Sequence, residues 1–143
     1  FHPKPQNELL RSFLTRGAAS EECIGAVLNN NADGDDTTCD VCSSRFSPLP
    51  HPHTSGNMWT ARCSYVSQLH DPRTFENEMN KFYAQIEGPR VPGFIIGAGR
   101  FAYEHWVHCH PSIKPCDVYA HPTFVWGYPK PGQVPSKDDP FLM

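Results

Sequence analysis

The stretch HPHTSGNMWTARCSYVSQLHDP, residues 51–72, gathers residue types that can recognise a small polar ligand. A turn at Thr54-Ser55-Gly56 leads into Asn57, an aromatic strand with Trp59 and a capped helical return. Gly56 has no Cβ, so a ligand or another backbone can approach it closely. Asn57 offers an amide donor and acceptor together, and Trp59 offers a flat apolar face. Sugars suit that combination, because their hydroxyls want paired hydrogen bonds and their C–H faces stack on aromatics. On composition alone, a buried strand with Met58 and Trp59 in the core is the simpler account.

The second chemically distinctive group is cysteine and histidine. Six cysteines (Cys23, Cys39, Cys42, Cys63, Cys109 and Cys116) in a short, loop-rich chain predict a disulfide framework using all six, with the pairing open. The rival is zinc. Cys39-x-x-Cys42 has ligand spacing, and His51, His53, His105, His108 and His110 could complete a site. No second pair follows at finger spacing, so disulfides are the preferred reading and no metal ligand is assigned. On a helix, His105, His108 and Cys109 would share a face able to hold a metal. Exposed imidazoles at a helix end beside a disulfide explain the same residues more simply. A Cys109/His nucleophilic pair ranks lower, because Cys116 offers a ready bonding partner. Disulfides point to an oxidising compartment, the extracellular space or an organelle lumen, a thylakoid lumen included.

These residues must be positioned by a chain of 143 residues, a length that fits one domain over 1–143. A net charge of −3, with no basic stripe, argues against a nucleic-acid partner. No apolar run approaches the roughly 18 residues that a membrane span needs. With 15 prolines and 10 glycines, turns and irregular coil should dominate. A start at Phe1 rather than Met fits either a trimmed mature chain or a fragment.

The spacing of Leu9, Leu10, Phe13 and Leu14 predicts a helix over Asn7–Arg16 that stops at Gly17, after an extended arm at 1–6. Ser20 should cap a second helix, Glu21–Leu28. Residues 29–38 read as a polar loop, and Cys39–Pro52 as irregular. Asn57–Ala61 is expected as a strand, and Cys63–Leu69 as one or two helical turns. The clearest helix starts with Asp71 as N-cap and Pro72 in the first turn, its stripe running through Phe75, Met79, Phe82 and Ile86 to a stop at Gly88-Pro89. Phe94–Ile96 reads as a short buried strand or turn, Ala98–His108 as a helix with Phe101, Ala102 and Trp106 inward. Val118–Tyr119 and Phe124–Trp126 read as strands, with a proline-rich tail at 129–143. Trp59, Phe75, Met79, Phe82 and Trp106 should be buried together. The fold class is α/β or α+β: a small central sheet, three or four helices and long disulfide-braced loops.

The segment resembles the pattern H-x-S-G-N-[FM]-W-x-A … Y-[IV]-x-x-L of a family of glycosyltransferase-like proteins in bacteria and eukaryotes. Here it is carried by His53, Ser55, Gly56, Asn57, Met58, Trp59, Ala61, Tyr65, Val66 and Leu69. GRFAYEHWV (99–107) resembles the R…E-x-W element that follows in that family. Cys39-Asp-Val-Cys42, RFSPLP and PSIKPCDVY (111–119) extend the likeness to about residues 20–120. The cysteine-rich version is similar to proteins of microalgae and related protists.

The resemblance implies an α/β core related to nucleotide-sugar transferases. It implies that Ser55, Gly56, Asn57 and Trp59 line the acceptor side, with Glu104 as general base on an acceptor hydroxyl. Such transferases also use a nucleotide-binding donor half and an Asp-x-Asp metal motif. No such half precedes residue 20, and Asp33-Gly34-Asp35 is the chain's Asp-x-Asp tripeptide, in a polar loop. The donor half, with any divalent metal, would have to come from other sequence or a partner chain. The expected function is therefore a carbohydrate-active part of a glycosyltransferase, its isolated chain free of cofactor and inactive. The alternative is a non-catalytic remnant serving as a binding module or structural subunit. The expected partners are a glycan acceptor in the first case and other protein subunits in the second.

Overall fold

The computed structural model describes residues 5–28, 39–86 and 92–118. Two helices open it, α1 (Pro5–Ala18) and α2 (Glu21–Leu28). Helix α1 starts inside the expected arm and runs through Gly17 rather than stopping there. Gly17 and Ala18 are buried, and the Thr60 hydroxyl donates to the Ala18 carbonyl, so packing outweighs the glycine's poor helix propensity. Helix α2 starts as expected: the Ser20 hydroxyl accepts the Cys23 amide, and Glu21 and Glu22 occupy the first turn.

Strands then form two small sheets, from β1 (Val41–Ser43), β2 (Phe46–Ser47), β3 (His53–Thr54), β4 (Thr60–Ala61) and β5 (Pro115–Asp117). Strand β1 lies between β4, antiparallel, and β5, parallel; β2 and β3 pair antiparallel. The stretch expected to be irregular thus supplies the central strand, and β1 is buried throughout. Residues 55–57 form a 3-10 turn, which leaves Thr60–Ala61 as the strand of the expected Asn57–Ala61 run. With its helices, this makes an α+β domain.

Four of the six cysteines are bonded, as Cys23–Cys42 and Cys39–Cys116. Cys42 lies within β1 and Cys39 two residues before the strand, across a bend at Asp40, and the two bond to different elements. Cys42 turns to α2, and Cys39 crosses to β5. Both are consumed, which removes them as zinc ligands. The expectation that all six are bonded is corrected: Cys63 and Cys109 are free thiols. Cys63 is exposed at the start of α3 (Cys63–Val66), whereas Cys109 is half-buried. Cys116, the partner expected for Cys109, is taken by Cys39. Disulfides of this kind belong to an oxidising, non-cytosolic setting. Among the described residues, no helix is long and apolar enough to cross a membrane.

Helix α4 (Pro72–Gln85) begins as expected, with the Asp71 carboxylate accepting the amides of Arg73 and Thr74 at 3.0 Å each. Phe94–Ile96 falls in a helical turn, α5 (Gly93–Ile96), and not a strand. Three apolar residues carry no periodicity, and Gly97 closes the turn in the left-handed region at φ 69°. The expected helix at 98–108 is a 3-10 turn, Gly99–Phe101, followed by α6 (Ala102–Trp106).

The core centres on Val41, Tyr65 and Val107, with Trp59, Ile113 and Trp106 packed around it. The aromatic stripe is less central than its spacing suggests. Phe75 is buried, Trp59, Met79 and Trp106 are half-buried, and Phe82 is 48% exposed near the end of α4. Residues 1–4, 29–38, 87–91 and 119–143 lie outside the described residues, and with them most of the arm, the polar loop, the expected stop at Gly88-Pro89, Phe124–Trp126 and the proline-rich tail.

Candidate functional site

The Ser55-Gly56-Asn57 turn leaves β3 with two consecutive left-handed residues, Gly56 at φ 71° and Asn57 at φ 56°. Glycine takes that conformation freely, and asparagine tolerates it better than most residues. The turn is fixed at three points. The Ser55 amide donates to the Arg45 carbonyl at 3.3 Å, the Gly56 amide donates to Glu104 Oε1 at 3.2 Å, and the Trp59 indole N–H donates to Asn57 Oδ1 at 2.7 Å. A Cβ on Gly56 would come within 2.9 Å of Leu14 Cδ1, so α1 closes one side.

Gly56, Asn57, Trp59 and Glu104 are therefore brought together from two blocks separated by 48 positions in the chain. Trp59 and Trp106 face each other with ring centroids 6.1 Å apart, and the Trp106 indole donates to the His70 carbonyl at 2.8 Å. This leaves an exposed turn with a half-buried carboxylate and two half-buried indoles beside it. Glu104 has one oxygen engaged by the turn and a second with which to accept from a hydroxyl. Asn57 uses its amide oxygen internally, so the donor side of the amide is what it can offer a ligand.

Beneath the turn, four of the five histidines weighed as zinc partners come together around Thr54. His51, His53 and Thr54 meet His105 and His108 from the opposite end of the chain. The centroid of His51 lies 4.8 Å from that of His53 and 4.9 Å from that of His105. Phe75 meets His105 edge-on at 5.3 Å, and Phe46 lies 5.0 Å from His108. Thr54 is fully buried; its hydroxyl donates to Ser43 Oγ at 3.3 Å and lies 2.6 Å from His108 Nε2. His108 is thus bonded through Nε2, while its Nδ1 is buried without a partner.

Burial favours the neutral form of His51, His105 and His108. It is the main influence pushing His105 down to about 4 and His108 down to about 3, with neighbouring histidine charges adding to it. His51 is also lowered, by burial first and then by the charge of His53. Gly97 permits the packing: a Cβ there would lie 2.6 Å from His105 Nδ1 and 2.8 Å from His51 Cδ2.

The rings stack rather than converge on a point. Among the described residues, no group of three His, Cys, Asp or Glu is placed to hold a metal. The expected face of His105, His108 and Cys109 is divided: the two histidines join His51 and His53, while the Cys109 thiol, pushed up by burial, lies on the side of Tyr65. His110 also packs edge-on against Tyr65, at 6.1 Å. Burial, with a smaller contribution from Cys109, pushes Tyr65 up to about 12, and its hydroxyl donates to the Val107 carbonyl. Asp33 and Asp35 lie outside the described residues.

The sequence placed Thr54 at the start of the turn, whereas it is a buried residue of β3 that meets Ser43 and His108. Gly97 was not singled out, although the G-A-G run at 97–99 is a legible sign of close backbone approach. A family model described as Domain of unknown function (DUF8361) matches residues 1–139. No curated protein and no solved structure matches the chain significantly.

Proposed function

The chain belongs to the DUF8361 family, and we propose that it is the acceptor side of a carbohydrate-active, glycosyltransferase-like protein. The observation that carries this reading is the hydrogen bond from the Gly56 amide to Glu104 Oε1, which joins the two blocks of the family resemblance at one place. In this reading the free oxygen of Glu104 accepts the proton of an acceptor hydroxyl, acting as general base. The Asn57 amide orients a neighbouring hydroxyl, Ser55 and Gly56 line the turn, and an indole face of Trp59 takes the sugar's C–H surface. The reaction would move a sugar from a nucleotide sugar to a glycan or protein hydroxyl, in the Golgi lumen or outside the cell.

A donor half and its divalent metal would be supplied by other sequence or another chain. The test is titration of the purified chain with a panel of oligosaccharides by ligand-observed NMR, alongside nucleotide sugars and manganese. Weak oligosaccharide binding that disappears in Asn57→Ala, with no nucleotide release, supports the reading. Absence of binding to every glycan would refute it. Turnover abolished by Glu104→Gln would show that the chain is a complete catalyst.

One observation favours a second reading, a non-catalytic module or structural subunit in an oxidising organelle lumen. Glu104 and Asn57 each spend an oxygen on holding the turn, and a turn-stabilising role accounts for both without a ligand. Co-purification from the native source in a stable complex, with no glycan binding, would select it.

A further inference from the structure

We propose that His51, His105 and His108, packed with His53, form an acid-sensitive latch: with these three rings neutral it holds β3 and the Ser55–Asn57 turn against α6, and their protonation releases them. The latch stands on its own geometry and does not depend on the sugar-site reading. Its rings come from two places only: His51 and His53 precede the turn, and His105 and His108 belong to α6 and its end. Contact between them is therefore contact between β3 and α6.

Protonation is unfavourable for a reason visible in the hydrogen bonds. An imidazolium carries two N–H donors, and both need acceptors when buried. Nδ1 and Nε2 of His51, Nδ1 of His105 and Nδ1 of His108 are all buried without a hydrogen-bond partner. The carbonyls of Phe94 and Ile95 near His51, and that of Gly97 near His105, favour the charged form slightly, but burial dominates for both rings. The charge of His53 opposes protonation of each of the other three, so the rings resist charging together.

Each packed element presents charged groups that are otherwise engaged. On α6, Glu104 accepts from the Gly56 amide. From α4, Glu76 accepts the Tyr103 hydroxyl at 2.6 Å, and Phe75 is what touches His105. Before α6, Arg100 lies over the Phe101 ring at 4.6 Å. On the strand side, Asp117 accepts the Phe46 amide at 2.8 Å, and the Arg45 carbonyl takes the Ser55 amide. From α5 and its cap the rings meet backbone.

The sign follows from linkage. Native values lie below the ordinary histidine value near 6.5, so the unfolded or released chain binds more protons as the pH falls. Stability is unaffected well above that value. It is lost progressively as the pH drops from about 6.5 toward the native values, about 4 for His105 and about 3 for His108.

The experiment follows the disulfide-intact chain from pH 7.5 to 4.5 by tryptophan fluorescence, amide exchange and histidine NMR titration. At pH 5, His105 and His108 should each raise the release constant on the order of tenfold to thirtyfold. Protection of the Gly56 amide should fall first, while the Cys39 amide, bonded to the Ala26 carbonyl on the disulfide side, stays protected. His105→Gln should flatten the pH dependence. If that variant fails to fold, His53→Gln, at a half-buried position, should shift the loss to a different pH, and the wild-type NMR titration is decisive in either case. Ordinary values near 6.5 for His105 and His108, or Gly56 protection unchanged to pH 5, would overturn the latch.

Discussion

The two halves of this small domain are held by different physics. On one side, α2, β1 and β5 are joined by Cys23–Cys42 and Cys39–Cys116, and Cys23 and Cys42 share a small core with Val27. On the other, β3, the Ser55–Asn57 turn and α6 are joined by stacked neutral imidazoles, one buried threonine and the Gly56–Glu104 bond. The covalent half is indifferent to mild acid and vulnerable to reductant. The imidazole half is the reverse. A domain with such short strands has little sheet to hold it, so each half depends on its own fastening, and the candidate site sits on the one that can be undone without bond cleavage.

Reduction should have the largest effect. The Cys39–Cys116 bridge closes a separation of 77 residues. Loop-closure entropy puts its contribution at about 4–5 kcal/mol, an upper figure for the unfolded-state constraint. The double variant Cys39→Ala/Cys116→Ala should lower the denaturant midpoint by a corresponding amount at pH 7.5. A loss below about 1 kcal/mol would show that the covalent half has another source of stability.

Much of that half could be read from residue order. Ser20, Glu21 and Glu22 announce α2, and Asp71-Pro72 announces α4, because capping chemistry is local. The CxxC spacing showed that Cys39 and Cys42 matter but not where each goes, since strand β1 was not legible in a run of turn formers. The imidazole half was harder. Its histidines stood together in the sequence as candidate zinc partners, but their packing as adjacent rings around Thr54 depends on tertiary contacts. The sequence did bring Ser55, Gly56, Asn57 and Trp59 forward, and the likeness of 99–107 to a second family element brought Glu104. Their meeting depends on a bond from the Gly56 amide to the Glu104 carboxylate, across a separation of 48 positions that local sequence pattern does not encode. Phe82 misled because helical spacing defines a face, while what covers the end of that face is a long-range matter.

The imidazole half can be broken by one methyl group. Gly97→Ala forces an alanine to φ 69° and places its Cβ against His105 and His51. Backbone strain and overpacking together predict a loss of about 2–4 kcal/mol. The variant's near-neutral stability should fall without any change in reductant sensitivity. Thr54→Val should cost somewhat less, about 1–3 kcal/mol, because Ser43 and His108 lose a buried partner while the shape is kept. Chemical denaturation at pH 7.5 would order the two variants, and an equal or reversed order would place the weight of the latch on the threonine instead of on ring packing.

The smallest effect belongs to the cysteine outside both fastenings. Cys63 is exposed at the first position of α3, where a serine fills the same space. Cys63→Ser should therefore change stability by no more than about 0.5 kcal/mol, as surface substitutions usually do. Alkylation without reductant should label Cys63 quickly and Cys109 slowly, because burial both shields the Cys109 thiol and disfavours its thiolate. Mass measurement should then find two modified sites, which separates this arrangement from three bridges. If neither thiol reacts even after unfolding, Cys63 and Cys109 are bonded to each other. A covalent tie would then run between the start of α3 and the end of α6. The imidazole half would no longer be held by non-covalent contacts alone, and α6 would be unable to leave the core when the histidines charge.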